Sequence, residues 1–287
     1  MKVRVMSSAF RFAMLISATK WGAKSLICLY VSVLTGIVLA LQYDPATPFF
    51  SVGSIDLLAP FGAFWRAGHF YSSQLFFLFS LMHLWAVFLN KKDEMTPGKW
   101  LLLVLSLPAA LLLLFTGYVL RADATGEAAG MIAENITLAI PVFGKGLNSL
   151  LFAIEEEGMK RVYTNHLIGL GVFWGICCWD HLRRYRVQVK EHGLLVGLMF
   201  VFSLLVMAPM EPGQLGVFHI QGPWFFLGLQ EALRYIHPFW AGVVLPSTVI
   251  VALIFIGLKR DWRGALLSFV VIWLGSYALL SVISALR

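Results

Sequence analysis

Charge is scarce in this chain. Of 287 residues only 13% are Asp, Glu, Lys or Arg, while 59% are hydrophobic, and the mean hydropathy is +0.80. A soluble domain of this length needs a charged surface, so the composition excludes one and reads as an integral membrane protein. Cysteine is scarcer still: Cys28, Cys177 and Cys178 all sit within apolar stretches. That excludes a disulfide framework, and without a Cys-x-x-Cys-His run the usual attachment motif of c-type haem is missing as well. Internal repeats and low-complexity tracts are also lacking. So is a small-residue cleavage site after the basic start MKVRVMSSAFRFAMLISATKWGAK, which reads as an amphipathic segment lying on the membrane rather than as a signal peptide.

What the chain does have is length in its apolar runs. Seven are long enough to cross a bilayer, roughly 25–42, 68–89, 100–120, 163–182, 193–209, 240–258 and 264–285. The expected fold is an all-α transmembrane protein. Its parts are a cytoplasmic amphipathic segment at 1–24, a four-helix domain at 25–190, and a three-helix domain at 191–287 that follows the polar break RRYRVQVKEHG. Pro108 inside the third run predicts a kink. The loops at 121–162 and 210–239 are long enough to suggest function, and the first reads as short surface helices. The net charge of +7 is a matter of topology, not of nucleic acid. Fifteen of the 22 Lys and Arg residues fall on the side of the amino terminus, and ten of the fifteen acidic residues fall on the other. The positive-inside rule then puts the amino terminus in the cytoplasm and, with seven spans, the carboxyl terminus outside.

Four histidines interrupt the apolar runs in two pairs. His69 and His83 are fourteen residues apart, and His166 and His181 fifteen. On a helix each pair spans about 21–23 Å, with both imidazoles pointing roughly the same way. Ionisable groups at such depth are costly and usually functional. A polar contact to a neighbouring helix would explain one histidine more readily than four in matched pairs. Zinc prefers clustered ligands, and these are a leaflet apart. Two stacked bis-histidine sites, one near each membrane face, are what two haems need to carry electrons across. Both runs lead from outside to inside, so His69 matches His166 in depth and His83 matches His181. An antiparallel arrangement would exchange the partners.

The residues around these histidines resemble the cytochrome b of bc-type and bf-type quinol oxidoreductases over about residues 20–285. In WGAKSLICLYVSVLTGIVLALQY, Gly22 and Gly36 share the fourteen-residue spacing, as glycines packed at haem depth do in that family. Arg66, three before His69, and Arg161, five before His166, match positions that hold haem propionates. FTGYVL supplies Gly117, although Leu103 stands fourteen before it where the family has a second glycine. The fifteen-residue spacing and the seven-span count are similar to the bf-type branch. That branch attaches an extra covalent haem through a cysteine, and Lys20 stands there, so two haem b and no covalently bound haem are expected. Arg186, five after His181, matches a quinone-site position, with Lys24, His192 and Asp261 as weaker candidates.

The resemblance implies a dihaem membrane subunit of a respiratory or photosynthetic quinol–cytochrome c type oxidoreductase. Its partners would be the quinone pool, the lipid bilayer, and a c-type cytochrome or iron–sulfur subunit on the outer face, within a multi-subunit complex that a dimer would suit. It departs from the family at the outer quinol site. Arg121-Ala-Asp-Ala124 replaces Pro-Trp-Gly-Gln, and in HIQGPWFFLGLQEALR, aligned on His219, Trp224 and Arg234, Pro223 replaces the glutamate thought to take a proton from quinol. Glu231, Asp123, Glu127 and Glu134 are the candidate substitutes. The departures favour a second reading, a non-bifurcating quinone-reactive dihaem anchor of another oxidoreductase. A haem-free transporter or channel is the reading from a different class.

Overall fold

A long apolar run in a bilayer can satisfy its backbone polar groups within itself only as a helix. The computed structural model describes residues 19–90, 95–154, 158–211, 220–258 and 260–287, and no strand occurs among them. The helices are α1 Trp21–Ala40, α2 Pro48–Leu58, α3 Gly62–Asn90, α4 Pro97–Val119, α5 Ala124–Leu138, α6 Gly144–Leu151, α7 Met159–Thr164, α8 Leu170–Leu182, α9 Gly193–Leu205, α10 Leu227–Ala232, α11 Leu245–Leu258 and α12 Arg263–Ala285. A π turn, Asn165–Gly169, joins α7 to α8, and another, Trp240–Val244, leads into α11. Most of the amphipathic segment expected at 1–24, together with Lys91, Lys92 and His219, lies outside the described residues.

Five of these helices are long and apolar enough to cross a membrane: Trp21–Ala40, Gly62–Leu89, Pro97–Val119, Trp240–Leu258 and Arg263–Ala285. The two other expected stretches are helical but differ in form. The one at 163–182 is divided by its π turn. The one at 193–209 stops as helix at Leu205, where Val206 turns extended ahead of Met207-Ala208-Pro209, and proline disfavours helix in the residue before it. The short helices expected in 121–162 are α5 and α6, and α7 begins at Met159. Leu34, Ile272 and Leu279 are each more than 60% exposed. Apolar side chains of this kind, spread over membrane-length helices, face lipid rather than water.

The chain forms two compact units, each drawn from separate stretches: Met1–Tyr43, Gly53–Glu94 and Tyr185–Pro209 in one, and Asp44–Val52, Met95–Arg184 and Met210–Arg287 in the other. In the first, α1 lies along α3 and α9 packs on both. Small residues let the backbones approach. Ser25 Oγ reaches Phe76 O at 3.1 Å and Ser80 Oγ at 2.7 Å, and a Cβ at Gly68 would meet Thr35 Cγ2 at 3.2 Å. In the second unit α4 packs against α8, α5 and α11, and α12 against α10 and α11. Trp100 Nε1 donates to Leu253 O at 2.8 Å, which pins the start of α4 to α11. Tyr277 of α12 donates to Phe225 O at 2.7 Å, beside α10.

Candidate haem-binding residues

Glycine opens a place for each of three histidine rings. A Cβ at Gly36 would stand 2.8 Å from His69 Cε1 and 2.9 Å from its Nδ1, well inside the 3.5–4.0 Å or so at which carbon atoms pack. One at Gly22 would stand 3.1 Å from His83 Cε1, and one at Gly117 would stand 3.1 Å from His166 Cε1. The fourteen-residue register of Gly22 and Gly36 on α1 thus faces the fourteen-residue register of His83 and His69 on α3. The imidazoles themselves occupy the glycine gaps. Leu103, on α4, accepts from Ser106 Oγ at 2.7 Å through its carbonyl.

Two of the rings are held in a definite tautomer. His69 Nδ1 lies 2.8 Å from Ser32 O. A carbonyl can only accept, so Nδ1 carries the proton and Nε2 the lone pair. His166 Nδ1 lies 2.9 Å from Thr116 Oγ1, and that hydroxyl donates to Leu112 O at 2.8 Å. The Thr116 proton is thereby spent, so His166 Nδ1–H is the donor and Nε2 again holds the lone pair. Metal-binding histidines are oriented by bonds of this kind at the other ring nitrogen. Neither Ser32 nor Thr116 was signalled by the histidine pattern. Their trace in the sequence is a hydroxyl residue near each glycine: Ser32 four before Gly36, Thr116 one before Gly117.

The π turn accounts for the unequal spacings. Fourteen α-helical residues make about 3.9 turns and fifteen about 4.2, a difference of about 100° in direction. A π turn closes i→i+5 instead of i→i+4 and absorbs one residue. The π turn Asn165–Gly169 contains His166, so fifteen residues there carry His181 round as far as fourteen carry His83.

The two arginines differ in setting. Arg66 is buried and paired with Asp56, Nε to Oδ1 at 2.6 Å and Nη2 to Oδ2 at 2.5 Å. It also donates to Ala208 O at 2.7 Å and Pro209 O at 3.3 Å. Its guanidinium meets a carboxylate, as a propionate partner should, but that carboxylate belongs to this chain. Arg161 is the reverse case: its Nη1 is buried with no hydrogen-bond partner among the described residues. A buried donor without a partner is costly, and a propionate oxygen is the type of group that would fill the gap. The orphaned donor, the glycine gaps and the two set tautomers together make these residues a fit for haem.

At the altered outer-face motif, Arg121 and Asp123 form a buried ion pair. Asp123 caps α5 through Gly126 N at 2.9 Å, and also accepts from Arg121 Nε at 3.0 Å, Thr125 Oγ1 at 3.0 Å and Glu211 N at 2.8 Å. Arg121 lies over the Tyr118 ring, 4.4 Å from its centre. Between the pair Ala122 takes φ 48, a left-handed conformation uncommon outside glycine. With both oxygens committed, Asp123 is built as a cap and anchor. Glu127 is exposed, and Glu134 accepts from Asn148 Nδ2 at 2.7 Å. Glu231 is 1% exposed, contacted by Arg234, Arg287 and Tyr235 at 3.1–3.3 Å. Pro223 accepts Phe226 N in a turn at 2.8 Å, and Trp224 stacks edge-on with Phe225.

Lys24 sits over Trp21 at 5.0 Å. Arg186 is exposed in the irregular run after α8, His192 closes the turn before α9, and Asp261 is exposed in the turn before α12. Lys20, at the expected cysteine position, pairs with Glu191 at 3.7 Å.

Residues 7–183 match the family model for cytochrome b/b6/petB. A cytochrome b6 of Heliomicrobium gestii is 32% identical over 178 residues, 58% of this chain and 81% of that protein. One from Auxenochlorella protothecoides is 29% identical over 177 residues, 58% of this chain and 81% of the other. In three dimensions the chain is similar to one from a hyperthermophilic respiratory Complex III, with a TM-score of 0.69 at 18% identity, over 92% of this chain and 83% of that one. At that identity the likeness speaks for the fold. The match across most of the chain, in a helical membrane protein three of whose histidines sit in glycine gaps, makes it a member of the cytochrome b/b6 family of electron-transport proteins.

Proposed function

We propose that the chain is the dihaem subunit of a quinol oxidoreductase, with two haem b, and that it moves electrons between the quinone pool and a c-type cytochrome or iron–sulfur partner. The observation that carries this is the pair of tautomer-setting bonds, Ser32 O to His69 and Thr116 Oγ1 to His166, beside glycine gaps. The axial pairs are His69 with His166 and His83 with His181, from their order along runs of the same direction. Each haem supplies one-electron redox chemistry at its iron. The protein supplies Nε2 ligands, with Gly22, Gly36 and Gly117 giving close approach, Arg161 meeting a propionate, and Arg66, paired with Asp56, bracing the helix three residues before His69. Arg186 binds the edge of a quinone near the His83/His181 haem. The amino terminus faces the cytoplasm, and the complex sits in a bacterial-type inner membrane.

At the outer face a base must lie within hydrogen-bond reach of the proton it takes. Pro223 has no acceptor in its side chain and Asp123 is committed to capping, which favours a non-bifurcating quinol reaction. The deciding experiment is anaerobic reduction by quinol with the cytoplasmic-side site inhibited. Slow reduction of the outer haem supports this reading. Fast reduction, coupled one-to-one to an iron–sulfur partner, contradicts it.

A further inference from the structure

Asp180 immediately precedes His181 on α8 and has no part in the ligand scheme above. Its carboxylate gathers three cations: Lys99 Nζ, from the first turn of α4, at 2.8 Å, Arg183 Nε at 2.7 Å and Arg184 Nη2 at 3.0 Å. Both oxygens are used, Oδ1 by Arg183 and Oδ2 by Lys99 and Arg184. The positive-inside rule explains the cations but is silent on the aspartate. Nor does stability explain it well. The cations are about half exposed, and such pairs contribute only about 0–1 kcal/mol. A fixed charge beside a redox centre is different, because one-electron reduction adds one negative charge and nearby charges favour or oppose it by their sign.

We propose that Asp180, Lys99, Arg183 and Arg184 form one charge cluster of net +2 beside His181, and that each of these charges, by its own sign, shifts the midpoint potential of the haem that His181 binds. The proposal rests on the dihaem reading. The test is a redox titration of the purified full-length protein and of Asp180→Asn and Lys99→Met, each checked for haem content. Both substitutions break the same Lys99–Asp180 pair, yet they remove opposite charges. The expected result is that Asp180→Asn raises one haem component, Lys99→Met lowers that same component, and the other component stays put. A merely structural latch would be broken alike by both, so shifts in the same direction, or no shift, overturn the proposal. Arg184→Gln leaves the Lys99 and Arg183 pairs in place and keeps the test readable if Asp180→Asn loses haem. It should also lower the component, and an unmoved potential in that variant counts against the cluster. A parent protein without two b-type components refutes the dihaem reading itself, separately from the role of Asp180.

Discussion

Replacing Gly36 by alanine adds one methyl group where His69 already stands. The new Cβ would lie 2.8 Å from Cε1 and 2.9 Å from Nδ1, so the ring must withdraw by about 0.7 Å to reach ordinary contact. That withdrawal carries Nδ1 away from Ser32 O, now at 2.8 Å, and out of hydrogen-bond range. Losing the bond costs about 0.5–1.5 kcal/mol, and forcing a methyl into a packed helix pair costs about 1–3 kcal/mol. The two sum to about 1.5–4.5 kcal/mol against the observed ring position, or about 10- to 1,600-fold in haem affinity at 1.4 kcal/mol per tenfold. Gly22→Ala and Gly117→Ala meet their rings at 3.1 Å and should do less harm. Gly175→Ala, in α8 with nothing within 4 Å of the added Cβ, is the control, and should be neutral or stabilising by about 0.5–1 kcal/mol because alanine suits a helix interior better. Haem per protein, read from reduced-minus-oxidised spectra of purified variants, gives the ranking. Full haem in Gly36→Ala, or equal loss in Gly175→Ala, would refute the reasoning.

Other perturbations follow from the same geometry. Deleting Ile168 from the π turn should leave an α-helical fourteen-residue spacing and both haems, whereas deleting Trp174 from α8 should swing His181 by about 100° and lose one; equal haem content in the two deletions contradicts the register argument. Asp56→Asn strips a buried partner from Arg66 and should destabilise by about 3–5 kcal/mol, seen as a lower thermal midpoint, with Asp56→Asn/Arg66→Met recovering part of the loss; no recovery means the pair is not what holds the segment. Arg161→Leu should lower the occupancy or midpoint potential of one haem, and an unchanged titration removes Arg161 from the propionate. Arg186→Ala should weaken quinone-analogue binding with haem content intact, and unaltered binding takes Arg186 out of that site.

Much of this arrangement was legible in the sequence because it is periodic. Four histidines in apolar runs and two glycines at the same fourteen-residue interval can be read from one strand of text, and α1 and α3 bring Gly36 to His69 and Gly22 to His83 because equal spacings stay in register along packed helices. What could not be read has no periodic trace. The unequal fifteen-residue spacing pointed to a family branch, but the π turn that offsets it is a change of hydrogen-bond partner, invisible in apolar patterning. The acceptor of His69 is the carbonyl of Ser32, a group every residue carries. Arg66 was expected at a propionate, and Asp56 is ten residues before it in a helix with no histidine to draw notice. Likewise Asp123 looked like a spare carboxylate on a loop until its neighbours, Arg121, Thr125 and the backbone of Glu211, were seen to use both oxygens. The spans blurred at their ends for the same reason: α9 stops at Leu205, where Val206 turns extended before Pro209, although the hydropathy of 193–209 runs on.

The central claim is that this chain binds two haems, each between two histidines. It is tested most directly by low-temperature EPR of the oxidised, purified protein, combined with haem-to-protein quantification. The account predicts two haem b per chain, both low-spin with bis-imidazole signals, of which His83→Ala removes one and leaves the other unchanged. One haem per chain, a high-spin signal from a five-coordinate iron, or a protein without haem would contradict it.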